Sequence, residues 1–338
     1  MDGGLGDCLA SPRVRTSATF VLLVGVCVGC AEPTSVPGAD LPEALDDRAA
    51  ITPIERDLSL DASEVRLGAR LFSDPALSHD GAVACVACHD LASGGDEGSV
   101  RSALPWRAPG VINVPSIFNL RYLEVFSWSG RWSSIDAQID AAMRAPHSLA
   151  TETSDAVERI RPSYAGDFEA VFPGTGLTEA TFRAALAAYL YSLVTPDSAF
   201  DRYLSGDTSA LSPEAADGFA LFQDRGCISC HQGAGIGGNL YQRFGVMEDY
   251  FAGREPTRAD LGRFAVTERE RDRHVFRVPS LRNVELTAPY FHDGSAATLE
   301  DAVQVMARYQ LGWRFSDVEI AHVVAFLRSL TGVPVEPS

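Results

Sequence analysis

The sequence predicts a mainly α-helical protein made of two similar domains, each built around a Cys-x-x-Cys-His motif. The motif occurs twice, at residues 85–89 and 227–231, and similar segments with helical spacing surround each copy. Strict alternation of apolar and polar residues never extends beyond a few positions, which disfavours a large sheet. A chain of 338 residues is long enough for two separate cores.

The charged residues exclude several classes of function. The chain carries 28 basic and 45 acidic side chains, a formal net charge of −17, and it contains no lysine, so every basic side chain is an arginine. It therefore lacks the lysine of a P-loop and the Schiff-base lysine of a pyridoxal phosphate enzyme. The acidic balance also disfavours nucleic acid as a partner.

The N-terminal region has the pattern of an export signal, assigned to residues 1–30. Arg13 and Arg15 precede an apolar run at 20–28, which is too short to span a bilayer. Residues 28–31 resemble the lipobox of bacterial lipoproteins, which predicts a lipid on Cys30 as the only membrane attachment; ordinary signal cleavage is the alternative. Residues 31–60 are predicted to be a linker, and the location is predicted to be the periplasm.

The rest of the chain divides into two repeats, predicted to be domains 61–205 and 206–338. A helical segment at 65–74 leads into the first motif and a similar one at 217–224 leads into the second. Helical segments at 185–193 and 323–330 follow as the predicted closing helices. Ser212 and Pro213 have the residue types of a helix start, which places the division before them.

Each Cys-x-x-Cys-His motif has the spacing of a c-type haem attachment site. The two thiols can add to the haem vinyl groups, and the following imidazole can bind the iron. A zinc site made of the two cysteine pairs and a thioredoxin-like redox pair are the alternatives, but neither accounts for the repeated histidine. The predicted attachment residues are Cys85, Cys88, His89, Cys227, Cys230 and His231.

A methionine is the predicted sixth ligand of the second haem. Met306 lies at the end of a helical segment at 299–306, and its thioether would raise the potential of the haem iron. Met247 is the alternative ligand. Methionine on an amphipathic helix also often serves as core packing.

Four further segments make the chain resemble the bacterial dihaem cytochrome c peroxidase family, which includes the MauG-type oxidases. They are residues 71–78, 113–119, 128–131 and 278–294, and the resemblance extends over 67–330. It implies two cytochrome c-like domains, each with one covalently attached haem, packed around an interdomain calcium site.

The resemblance also implies roles for individual residues. His89 becomes the proximal ligand of the peroxide-binding haem, and His231 with Met306 the axial pair of the electron-accepting haem. Trp128 matches a tryptophan that lies between the haems. Asn113, by its side chain, and Thr287 and Pro289, by their carbonyl groups, match the calcium ligands, and such oxygen donors suit a hard cation.

Two positions depart from the family pattern. Counting without gaps from His89 places Pro105 at the displaceable distal histidine and Ser148 at the catalytic glutamate, whereas the catalytic glutamine is retained as Gln138. Proline cannot bind iron and serine is a poor general acid. His147 is the predicted substitute acid, with Glu152 as a further possibility.

The predicted function is reduction of hydrogen peroxide to water, with electrons from a basic small cytochrome c or similar donor. One alternative is a MauG-like oxidase that modifies a protein partner. Another is an electron-transfer or redox-sensing dihaem protein that has lost the acid catalyst. The resemblance is also compatible with a homodimer.

Overall fold

The computed structural model describes residues 50–98 and 112–335, and within these ranges the chain is mainly helical. The predicted signal segment, Cys30, most of the predicted linker and Pro105 lie outside the described residues. The α-helices of the described ranges are α1 (Ala62–Phe72), α2 (Ile135–Arg144), α3 (Thr153–Val171), α4 (Glu179–Ser192), α5 (Ala199–Leu204), α6 (Pro213–Asp224), α7 (Phe264–Thr267), α8 (Leu299–Val305) and α9 (Asp317–Arg328).

Side-chain caps fix where the helices of both repeats begin. The Asp61 carboxylate accepts hydrogen bonds from two backbone N–H groups at the start of α1, and Thr178 forms a capping box with Thr181 at the start of α4. In the second repeat, Ser212 caps α6 with Pro213 in its first turn, and Ser316 caps α9. The helices predicted on either side of each motif are therefore present.

Two hydrophobic cores hold the described chain together. The first consists of buried residues between Val65 and Leu193, and the second consists of Ile51 and buried residues between Phe200 and Leu330. Ile51 and Phe200 come from the predicted linker and the predicted first domain, yet both are almost fully buried in the second core. The segment just before α1 and helix α5 therefore pack on the second repeat.

A glycine allows a close helix crossing in each repeat. A Cβ atom on Gly68 of α1 would collide with the Ala185 carbonyl of α4, and one on Gly218 of α6 would collide with the His322 carbonyl of α9. Each helix that leads into a motif thus packs directly on the closing helix of its own repeat.

A short antiparallel pair of strands lies beside the second motif. Strand β1 (Tyr241–Arg243) pairs with β2 (Val275–Arg277), with Tyr241 opposite Arg277. Three-residue strands are too short to give a detectable alternation in the sequence. Among the residues the structure describes, no helix is both long and apolar enough to cross a membrane.

Candidate haem sites and interdomain contact

Each Cys-x-x-Cys-His motif folds into a single tight turn at the wall of its own cavity. Cys85–Ala87 and Cys227–Ser229 form 3₁₀ turns, and each histidine N–H donates to the carbonyl of the first cysteine, at 3.2 Å for His89 and 3.0 Å for His231. The turn places both thiols and the imidazole at the same cavity.

Both histidines are half-buried and oriented as neutral ligands. His89 Nδ1 lies 3.0 Å from the Gly95 carbonyl oxygen, and His231 Nδ1 lies 3.3 Å from that of Ile236. A carbonyl oxygen can only accept a hydrogen bond, so Nδ1 carries the hydrogen and Nε2 is left to bind a metal. Burial lowers the pKa of both imidazoles, that of His231 to about 4, which keeps them uncharged.

The preceding helix places a phenylalanine beside each histidine. The Phe72 ring lies 6.4 Å from the ring of His89, and the Phe222 ring lies 6.3 Å from that of His231. Both phenylalanines follow a leucine, as Leu71-Phe72 and Leu221-Phe222, so the two repeats build the same wall behind the histidine.

The four cysteines of the described ranges fit neither zinc nor thiol redox chemistry. They form no disulfide, and the two pairs line two separate cavities, so they do not make one four-cysteine site. Burial raises the pKa of Cys85 to about 12 and that of Cys227 to about 11. A thioredoxin-like pair needs a lowered pKa.

The second cavity has a thioether in its wall. Met306 lines the same cavity as His231 and packs against an aromatic cluster of Phe244, Phe251 and Phe276. It opens a π-helical turn, Met306–Gln310, which continues α8 and is a geometry often found at functional sites. Met247 is 63% exposed and is not part of this cavity wall.

The first cavity has an amide in its wall. Gln138 of α2 lies there with Ser148, and its Oε1 atom is buried without a hydrogen-bond partner in the described ranges. Met143 lines the same cavity and is buried. A buried amide oxygen without a partner is costly, so Gln138 needs a hydrogen-bond donor that the described residues do not supply.

The structure does not bring the two substitute acids to this cavity. His147 is exposed and is not part of the wall, although its neighbour Ser148 is. Glu152 precedes α3 and is also exposed, with one carboxylate oxygen 3.7 Å from Arg144. Neither side chain is therefore placed to give a proton to a molecule bound in this cavity.

Trp128 lies where the two repeats meet. Its indole Nε1 donates to the Asn113 carbonyl oxygen at 2.8 Å, and its own carbonyl accepts from the Arg277 N–H at 2.9 Å. It also lines the cavity of His231. Trp128 thus joins a loop of the first repeat to strand β2 of the second.

The three predicted calcium ligands line the same cavity as Trp128, and two of them are in contact. The Asn113 amide is 2.6 Å from the Pro289 carbonyl oxygen, and Thr287 lines the same cavity. Which amide atom faces Pro289 is a matter of assignment, because turning the group exchanges nitrogen for oxygen. With the oxygen turned inward, these donors fit a hard cation.

A buried charged cluster behind Trp128 is absent from the sequence predictions. The His292 ring meets Trp128 edge-on, and its Nε2 lies 2.8 Å from the carboxylate of Asp260, which also pairs with Arg254. Asp293 pairs with Arg254 at 3.0 Å, so the arginine supplies the positive charge between the two carboxylates. Asp260 is 32 residues from His292, and no local pattern connects them.

Comparison with known proteins agrees with this architecture. The family model for di-haem cytochrome c peroxidase matches residues 62–209, and the model for cytochrome c matches residues 215–331. A cytochrome c551 peroxidase of Nitrosomonas europaea is 39% identical over 86% of this chain and 84% of that protein.

The chain belongs to the di-haem cytochrome c peroxidase family. The cytochrome c peroxidase Ccp of Escherichia coli is 38% identical over 84% of this chain, which spans 61% of that relative. In the crystal structure of a MauG-like protein associated with microbial copper homeostasis, the fold matches with a TM-score of 0.73 at 25% identity, covering 87% and 95% of the two chains. Family membership makes this chain an oxidoreductase with two haem c sites.

Proposed function

We propose that the protein reduces hydrogen peroxide to two molecules of water, using two electrons from a small cytochrome c and two protons. A difference between the two cavities supports peroxide binding at the first haem and electron entry at the second. The first cavity is lined by Gln138, whose amide oxygen has no partner among the described residues, and the second is lined by Met306. A thioether-ligated haem is suited to accepting electrons. The open site would therefore be the first, and the entry site for electrons the second.

The chain supplies the binding and positioning groups of the first cavity. The haem, bound through Cys85, Cys88 and His89, supplies the redox chemistry. Gln138 can turn its amide toward bound peroxide and hydrogen-bond it, since no residue of the described ranges uses its oxygen. Ser148 lies at the same wall but cannot serve as a strong acid.

Turnover of peroxide by the holoprotein with a reduced small cytochrome c tests the proposal. The Ser148→Glu variant restores a carboxylate at the cavity wall and should raise kcat by roughly 10²-fold or more, the usual contribution of a general acid. The exposed His147 and Glu152 provide controls, and alanine at either position should leave kcat unchanged. Wild-type turnover no faster than that of free haem would refute the peroxidase proposal.

Electron transfer without peroxide turnover is the second candidate function. Ser148 in the cavity wall and the buried sulfur of Met143 favour it, because a thioether that reached the iron would close the site to peroxide. In that case the resting first haem would show methionine ligation, and the Met143→Leu variant would abolish that spectral feature. A wild-type spectrum without a second methionine-ligated haem would exclude this closed form.

We further propose that Asn113, Thr287 and Pro289 hold a calcium ion beside Trp128. Metal analysis of the purified holoprotein should find one calcium ion per chain, and the Asn113→Ala variant should lose it. The Asn113→Asp variant, which keeps an oxygen donor at the same position, should keep it. Equal calcium content in Asn113→Ala and the wild type would refute this site.

The remaining proposals concern boundaries, location and partners. Residues 61–205 and 206–338 are proposed as the two haem domains, with export to the periplasm directed by residues 1–30. Mass spectrometry of the mature N-terminus distinguishes acylated Cys30 from simple cleavage.

The net charge of −17 fits a basic electron donor, so the rate at which the donor reduces the protein should fall as salt is added. Light scattering would reveal a homodimer.

A further inference from the structure

Two buried arginines line the cavity of His231, and only one of them has a carboxylate partner among the described residues. Arg282 and Arg277 are each 4% exposed. A guanidinium removed from water needs a counter-charge or a full set of hydrogen bonds. The two residues therefore pose the same problem in the same cavity.

The fold supplies Arg282 with a counter-charge and further hydrogen bonds. Its Nη1 atom lies 2.7 Å from a carboxylate oxygen of Asp201, which is also buried. Its Nε donates to the Ala234 carbonyl at 2.8 Å, and its Nη2 donates to the Thr52 carbonyl at 3.0 Å. Nothing further is needed to keep this charge buried.

The fold satisfies Arg277 only in part. Its Nε donates to the Ser127 carbonyl at 3.1 Å, but the ion pairs of residues 50–98 and 112–335 include no carboxylate for this guanidinium. Burial lowers the pKa of Arg277 to about 10, and only the phenol of Tyr241 opposes that effect. The terminal nitrogens of Arg277 are therefore left for whatever fills the cavity.

We propose that Arg277 pairs with a propionate carboxylate of the haem attached at Cys227, Cys230 and His231. The inference rests on the proposed attachment of the second haem at these three residues. A planar guanidinium suits a carboxylate because it offers two parallel donors, and a haem c brings two such carboxylates into the cavity. Arg277 is a positioning residue for the cofactor.

The same side chain ties the cofactor to the interdomain tryptophan. The Arg277 backbone N–H donates to the Trp128 carbonyl at 2.9 Å, and its Nε holds the adjacent Ser127 carbonyl. A propionate held by Arg277 is thus one side chain away from the backbone of Trp128. A fixed positive charge at this point also favours the reduced haem and raises its potential.

Redox titration of the holoprotein without peroxide tests the pairing. Arg277→Gln should lower the midpoint potential of the methionine-ligated haem, and its resonance Raman spectrum should show a weaker hydrogen bond to a propionate. Arg277→Lys keeps the positive charge but not the two parallel donors, so the potential should stay near the wild-type value while the propionate band still shifts. Arg271→Gln removes an exposed arginine that lies just before strand β2 and is not part of the cavity wall, and it is the matched control.

The outcome separates this inference from the proposed function. Wild-type propionate bands in both Arg277 variants, or a potential shift in Arg277→Gln no larger than that in Arg271→Gln, would overturn the pairing. If Arg277→Gln does not retain haem, the propionate band of Arg277→Lys decides. Failure of peroxide turnover with the expected potentials would refute the peroxidase proposal and leave the pairing of Arg277 in place.

Discussion

The cavities of the first and second motifs share one wall and differ in the other. Behind each histidine stand a backbone carbonyl, a phenylalanine from the preceding helix and a glycine-mediated helix crossing. Elsewhere in the lining, the first cavity has Gln138 and Ser148, and the second has Met306. The residues that both cavities share attach the cofactor, so we expect the residues that differ to set the separate roles of the two haems.

The difference also extends to the surroundings of each cavity. The second cavity is lined by Trp128 and by the predicted calcium ligands, whereas the wall of the first is formed mainly by apolar residues, more of which come from α2 than from α1 or α4. Groups that connect the two repeats therefore belong to the second cavity. This arrangement fits a first site that handles a small substrate and a second site that receives electrons.

Removing the two histidines should separate the two roles most strongly. His89→Gly should reduce peroxide turnover by more than about 100-fold, since even partners behind a metal ligand contribute 10–100-fold. His231→Gly should abolish the methionine-ligated spectrum while peroxide still binds at the first site. Stopped-flow spectra with peroxide measure binding, and the assignment fails if His89→Gly binds peroxide as well as His231→Gly does.

A pair of glutamines tests the opposite walls. Gln138→Ala should lower kcat by about 10²-fold, because the amide proposed to hydrogen-bond the peroxide is lost. Gln242 lines the second cavity, with its Nε2 3.9 Å from Cys230 Sγ, and is the matched control. Steady-state peroxide assays compare the two; similar losses in both variants would contradict a special role of Gln138.

A pair of methionines tests the ligand of the second cavity. Met306→Leu should remove methionine ligation and lower the potential of that haem, by part of the roughly 0.8 V range that axial ligands set. Met247→Leu should change neither, because Met247 is exposed outside the cavity. Optical redox titration measures both effects. Retained ligation in Met306→Leu with its loss in Met247→Leu would reverse the assignment.

The smallest expected effects are on stability, and they test whether the repeated walls are equivalent. Gly68→Ala and Gly218→Ala each push a methyl group into a backbone carbonyl, at a cost of about 1–3 kcal/mol. Gly166 in the exposed part of α3 has open space around its Cβ position, so Gly166→Ala should stabilise by about 1 kcal/mol. Thermal unfolding measures all three, and a stabilised Gly68→Ala or Gly218→Ala variant would contradict the close crossing.

Much of the local structure could be predicted from the residues because short-range rules govern it. The helices around each motif follow from apolar spacing and from caps such as Ser212 and Ser316. The β1–β2 pair could not be predicted, since its three-residue strands pair across more than 30 positions. The Asp260–His292 contact also escaped prediction, because neither residue is unusual in its own segment.

The sequence by itself determined the two haem-attachment motifs, the repeat and the likeness to the peroxidase family, because each depends on residue type and spacing along the chain. Only the tertiary structure decided which methionine reaches the second cavity, that the Gln138 oxygen is unpaired, and that His147 is exposed. It also distinguished Arg282, paired with Asp201, from Arg277. Burial and pairing depend on contacts between distant parts of the chain, and residue order alone does not specify those contacts.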